Sequence, residues 1–191
     1  MAIGFSFCDW SYHEVTKSEA KDIWALLEEE GKLVEVEMWE EKTVEFPKAC
    51  ATSGVGPCLG LAVVDRKSQK THLVHRSGNE EGDVNEFLDV ALKNGTKDVL
   101  VAMVGVVEVP GKHSKELNDG LKKYAAHIRK ELKDRGVKDK QIVDRILNSE
   151  NRDRYMIIAD PTKKKIYIAS SDRWDGELEW AEFQDYEESP W

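Results

Sequence analysis

The stretch Ala51–Gly78, "ATSGVGPCLGLAVVDRKSQKTHLVHRSG", decides the fold. Leu59 to Val64, "LGLAVV", is an apolar run of strand length, "RKSQK" is a polar turn, and "THLVH" at Thr71–His75 is a second strand. Together they make a hairpin. A turn centred near Lys67–Ser68 puts His75 opposite Gly60 and His72 opposite Val63. His75 is then a diagonal neighbour of Cys58 on one face, and diagonal neighbours lie about 7–8 Å apart at the backbone. His72 points to the other face. A one-residue slip would exchange the faces, but His72 would stay about 20 Å along the strand from Cys58. Distance favours His75 in either register.

Outward from this hairpin the chain mixes helical and strand patterns, without the strict alternation of a doubly wound sheet and without repeats or low-complexity linkers. Thr16 and Glu19 form a capping-box pattern ahead of Ala20, Ile23, Trp24, Leu26 and Leu27, a helix that Gly31 stops. "KLVEVEMW" alternates Val34, Val36 and Met38 with Glu35 and Glu37 as a strand with one wet face, and Thr43–Phe46 is a short extended piece. Downstream of the hairpin, Asp83 and Glu86 suggest a helix through Val84, Phe87, Leu88, Ala91 and Leu92, and "DVLVAMVGVVEV" is a buried strand. A long helix is predicted from about Ser114 to Arg135, a shorter one over Lys140–Leu147, and "RYMIIAD" with "KKIYIAS" forms a hairpin around "DPTK". The expected fold is α+β, one domain of mixed, sandwich-like β-sheets flanked by helices. Residues 1–45 are read as an N-terminal helix-and-strand extension packed on the core, 46–172 as the core domain, and 173–191 as an acidic Trp-containing tail.

Composition narrows the function classes. The 191 residues are 40% apolar and 34% charged, with a net charge of -9. An acidic chain is a poor general binder of nucleic acid, because phosphate binding depends on Lys and Arg. No apolar run reaches the roughly 20 residues that span a bilayer. "MAIGFSFCDW" lacks the basic and apolar regions of a conventional secretory signal, so a cytoplasmic location is expected, with export by another route left open. Seven carboxylates and no Lys or Arg lie between Asp175 and Glu188, a solvated tail or a docking segment for a basic partner. Cys8, Cys50 and Cys58 are too few for a disulfide framework.

Chemistry concentrates at Cys58. It follows the glycines at 54 and 56 and opens an apolar strand, where turn N–H groups can face a developing oxyanion. The backbone at Gly56, Cys58 and Leu59 is the candidate oxyanion hole. Pro57 has no N–H to give. An imidazole at His75 can take the thiol proton, and the thiolate is the nucleophile. The Thr52 hydroxyl, six residues ahead of Cys58, can reach back to orient that ring. A buried structural cysteine is the bland alternative. Zinc held by Cys50, Cys58, His72 and His75 is disfavoured by the cysteine spacing and by the opposed faces of the two histidines, so neither metal nor organic cofactor is expected.

"TSGVGPCLGLAVVD" resembles the signature of the chemoreceptor glutamine deamidases, the CheD family. Its Thr, Gly, apolar, Gly, small residue and nucleophilic Cys fall here at Thr52, Gly54, Val55, Gly56, Pro57 and Cys58, followed by a strand ending at Asp65. The family's catalytic His lies on the next strand, and His75 matches its spacing. The related cytotoxic-necrotizing-factor deamidases share the Cys–His pair. The resemblance spans roughly Phe46–Ser170 and is strong only over Thr52–His75. After His75 the chain reads "RSGNEEGD" rather than an apolar, proline-bearing stretch. The resemblance implies a cysteine amidohydrolase that deamidates a glutamine on a partner protein through a thioester, with Asn as substrate or an amine as acceptor left open. It also implies a silent alternative, a protein-interaction module that keeps the fold.

Overall fold

The computed structural model describes residues 10–55, 58–77, 83–106, 114–147 and 155–170. The described strands are β1 (Ser11–Val15), β2 (Leu33–Glu35), β3 (Glu41–Glu45), β4 (Ala49–Val55), β5 (Cys58–Asp65), β6 (Lys70–Ser77), β7 (Val99–Val106), β8 (Ile142–Leu147), β9 (Tyr155–Asp160) and β10 (Lys165–Ser170). The helices are α1 (Lys17–Glu29), α2 (Asp83–Ala91) and α3 (Ser114–Asp134). They build two mixed five-stranded sheets, ordered β1-β10-β9-β4-β2 and β3-β6-β5-β7-β8. This is the α+β architecture that the patterning predicts.

The period-two alternation of the strands sorts side chains into layers. Ile157 and Ala159 of β9 and Ile166 and Ile168 of β10 face Ala62, Leu73 and Val104 across the gap between the sheets. Their neighbours Ile158, Tyr167 and Ala169 turn outward and pack on Ala20 and Leu27 of α1, with Ile23 and Trp24 partly buried beside them. On the far side, Leu61, Val63, Val101 and Met103 lie under α2 and α3, against Phe87, Leu88, Tyr124 and Ile128. The order of layers is helix, sheet, sheet, helices. Each large aliphatic side chain removed from water contributes about 1.5–3 kcal/mol, so these three cores dominate the stability.

The hairpin takes the register that its turn position predicts. Gly60 pairs with His75, Val63 with His72 and Cys58 with Ser77. Asp65 holds the turn, its carboxylate accepting from the N–H groups of Lys67 and Ser68, the Ser68 hydroxyl and the Asn94 amide. The Thr16–Glu19 capping box of α1 is formed, and α3 covers the predicted span to within a residue.

The segment 140–147, expected as an α-helix, begins in a short 3-10 helix, Asp139–Gln141, and is a strand from Ile142 on. β8 runs parallel to β7 with Val101 opposite Ile142 and Val106 opposite Leu147. "QIVDRIL" carries an apolar pattern that either structure accepts, and its β-branched residues favour the strand once a partner is present. α3 is the crossover of this parallel pair. Gln141 anchors the entry, its amide donating to the carbonyls of Thr96 (2.7 Å) and Val99 (2.8 Å).

"KLVEVEMW" is strand over Leu33–Glu35 only, paired in parallel with β4. The described part of residues 1–45 supplies strands to both sheets: β1 beside β10, β2 beside β4 and β3 beside β6. The Tyr12 hydroxyl of β1 donates to the carbonyl of Val101 in β7 (2.9 Å), linking one sheet to the other. The expected tail, 173–191, lies outside the described residues.

Candidate active site

Two residues separate β4 in one sheet from β5 in the other, so the chain changes layers between Val55 and Cys58. That crossing sets Cys58 at the rim of the inter-sheet core, in a packed group with Val55, Ala62 and Val104. A bulge in β4 prepares it. Thr52 pairs with Ile157 and Val55 with Tyr155, so one extra residue is accommodated on the β4 side. Gly54, at φ 70°, takes the left-handed conformation there that a side chain would resist.

Thr52, on the inner face of β4, meets His75, on the inner face of β6. Oγ1 of Thr52 and Nδ1 of His75 are 2.8 Å apart in a buried hydrogen bond that crosses between the sheets. With the proton on Nδ1 the ring donates to the hydroxyl, and Nε2 presents its lone pair. That Nε2 is buried and has no hydrogen-bond partner. Cys58 lies on the same face, one diagonal from His75, because the partners Gly60 and Ser77 stand two residues from each. The cysteine side chain is 6% exposed, and its thiol contacts the Met38 thioether at 3.7 Å.

Burial sets the charge states. It drives the His75 pKa down to about 4, with the adjacent Arg76 guanidinium adding to the shift, so the imidazole is neutral at physiological pH. Cys50, completely buried two residues before Thr52, is pushed up to about 12 by burial and stays a thiol. His72 stands on the opposite face of β6, with Nδ1 2.8 Å from the Thr43 hydroxyl. Among the described residues no group of three His, Cys, Asp or Glu could hold a metal ion. Cys8 and Gly56, like Pro57, lie outside the described residues. Leu59 is inside two ladders, opposite Arg76 and Gly105, whereas Cys58 pairs only with β6.

Two contributors to the site are not evident in the sequence. Met38 lies in the turn beyond β2, 47% exposed, and its thioether contacts the thiol. Gly105 of β7 looks like an interior glycine of an apolar strand, but a β-carbon there would lie 2.4 Å from both the carbonyl oxygen of Cys58 and Cδ2 of Leu59. Gly105→Ala must therefore displace the backbone of the cysteine. We expect it to destabilise the fold by about 1–3 kcal/mol, read as a lowered midpoint in thermal or urea unfolding. An unchanged midpoint would show that the strand absorbs the methyl group.

Fold and site together define an α+β protein whose sheet-to-sheet crossing sets a cysteine beside a buried threonine–histidine pair. No family model and no curated protein matches the chain. Among solved structures it is similar to YlmD from Geobacillus stearothermophilus at 14% identity and TM-score 0.40, over 72% of this chain and 60% of that one. It is similar to the hypothetical protein YfiH of Bacillus licheniformis at 11% identity and TM-score 0.37, over 57% and 50%. A Neisseria meningitidis protein of the DUF152 family matches at 12% identity and TM-score 0.41, over 65% and 67%. The chain thus spans 60% and 50% of the length of the first two. None of the three is described as a chemoreceptor deamidase, and likenesses this distant carry no argument about chemistry. No helix among the described residues is long and apolar enough to cross a membrane.

Proposed function

We propose that the protein is a cysteine amidohydrolase acting on a glutamine or asparagine side chain of a partner protein. One observation carries this reading: the buried Thr52–His75 hydrogen bond, which leaves Nε2 without a partner on the face that bears Cys58. Nε2 takes the thiol proton as Sγ attacks the carboxamide carbon. The C–N bond breaks as that proton passes to the departing nitrogen, and ammonia leaves a thioester. Nε2 then deprotonates a water that attacks the acyl carbon. The C–S bond breaks as Nε2 returns that proton to Sγ, leaving the acid, which ionises to a carboxylate, and the regenerated thiol. Thr52 is a positioning residue, holding the tautomer that keeps Nε2 basic. Backbone N–H groups at Cys58 and Leu59 are the candidate oxyanion donors. The sequence resemblance supports glutamine as the amide.

A second reading has its own support. Cys58 is 6% exposed and its thiol lies against Met38, as in a module that binds partners without turnover. Ammonia release separates the two. Incubated with glutamine- and asparagine-bearing peptides, the wild type is expected to release ammonia, and Cys58→Ser to lose that activity by about a thousandfold or more. Release that persists in Cys58→Ser, or no release from any carboxamide, would favour the binding module.

A further inference from the structure

The turn Glu37–Glu40 borders the thiol. We infer that it is the substrate-recognition element of this site, selecting a carboxamide carried by a basic protein segment with apolar flanks; this rests on the amidohydrolase reading. The Met38 thioether lies 3.7 Å from Sγ of Cys58, and an unbranched thioether swings aside at low cost. Met38 and Trp39, adjacent in the sequence, are 47% and 46% exposed, two large apolar residues in the turn that carries the thioether to the thiol. Paired exposed apolar groups of this kind anchor partners.

The turn is fastened to the strand that carries the base. The Trp39 N–H donates to the carbonyl of His75 (2.8 Å), and the His75 N–H donates to the carbonyl of Glu40 (3.1 Å). Glu37 and Glu40 close it, the Glu37 N–H donating to the Glu40 carboxylate (3.1 Å). Trp39 sits at φ 74°, a left-handed conformation that a residue with a side chain resists. Those bonds fix the backbone of the turn beside His75.

Charge specifies the rest of the occupant. Between Glu35 and Glu41 there are four glutamates and no Lys or Arg. Glu40 is paired with Lys42 (2.6 Å) and Glu41 with Arg76 (3.5 Å), while the Glu37 side chain is exposed at the turn. A segment bearing Lys or Arg beside its carboxamide complements this rim, and an acidic one is repelled. Inside the rim, the buried Nε2 of His75 awaits a donor, and a carboxamide NH2 is one.

The test uses two peptides with the same core, Ac-Lys-Leu-Gln-Leu-Lys-NH2 and Ac-Glu-Leu-Gln-Leu-Glu-NH2. The full chain is scored for ammonia release and for protection of Cys58 from iodoacetamide, as wild type, Glu37→Lys and Trp39→Ala. The basic peptide should protect at about tenfold lower concentration than the acidic one, and Glu37→Lys should cut that preference at least about threefold. Trp39→Ala should raise the protecting concentration of both peptides. Protection by the basic peptide without ammonia release upholds the recognition surface and overturns hydrolysis. Equal protection by both peptides, or a preference untouched by Glu37→Lys, overturns the inference even where ammonia is released. Protection by neither peptide overturns it as well.

Discussion

Replacing His75 by Gln is expected to reduce ammonia release by about a thousandfold, within the range that general acid–base catalysis contributes. A glutamine amide still bonds to the Thr52 hydroxyl, so the folded state keeps a partner for that buried group while losing the group that moves protons. The rate should therefore collapse with the melting temperature changed by only a few degrees. Thr52→Val makes the complementary lesion. It leaves the ring N–H of His75 buried without an acceptor, which costs about 1–3 kcal/mol, and it frees the ring to turn. Here stability and turnover should fall together. Measured kcat/KM and unfolding midpoints for the two variants distinguish a base from a structural histidine: equal rates in His75→Gln and wild type would exclude His75 from the chemistry.

Acid should weaken the fold over a defined window. Burial holds both His72 and His75 at a pKa of about 4, whereas in the unfolded chain each titrates near 6.5. Above pH 6.5 both states carry neutral imidazoles, and the histidines do not alter the balance. Between pH 6.5 and 4 the unfolded chain binds protons that the folded one refuses, so stability falls as pH falls. Below pH 4 both states are protonated, and the histidines cause no further loss. Each contributes a loss on the order of 3 kcal/mol across the window, a large share of the 5–15 kcal/mol typical of a domain. Urea titrations at pH 7, 5.5 and 4.5 should show the decline, and His75→Gln should remove about half of its slope. Stability independent of pH across this range would mean that the two rings reach solvent. The same shift places the acid limb of any activity near pH 4, because catalysis needs a neutral His75. It also keeps the resting His75 a neutral imidazole, ready to take the proton as Sγ attacks.

The hairpin was legible because its information is local. Alternation fixes the faces of β5 and β6, the polar run Arg66–Gln69 fixes the turn, and register follows from the two, placing His75 diagonal to Cys58 before any tertiary contact is considered. The capping box of α1 and the apolar stripe of α3 are equally local. β4 was hidden for a physical reason: "ACATSGV" is made of small residues, and its bulge at Ser53–Gly54 breaks the alternation that marks a strand. What looks like a glycine-rich turn is the end of a strand that crosses between sheets. β8 depends on a parallel partner supplied from beyond α3, and no local pattern reports that. Met38 alternates with Val34 and Val36 in the sequence, but the strand ends at Glu35, and its meeting with Cys58 depends on the turn that leads into β3 beside β6. Gly105 matters only through the 2.4 Å approach to the Cys58 carbonyl, which sequence cannot express.

The most direct measurement is the rate at which iodoacetamide alkylates Cys58 at pH 7, followed by peptide mass, in wild type and His75→Gln, each with and without Met38→Ala. The proposed site predicts that Cys58 reacts at least about tenfold faster with His75 present than with Gln in its place, that removing Met38 raises the rate further, and that Cys50 stays unmodified. A Cys58 rate indifferent to residue 75 in both backgrounds would contradict the account and leave Cys58 a buried core residue.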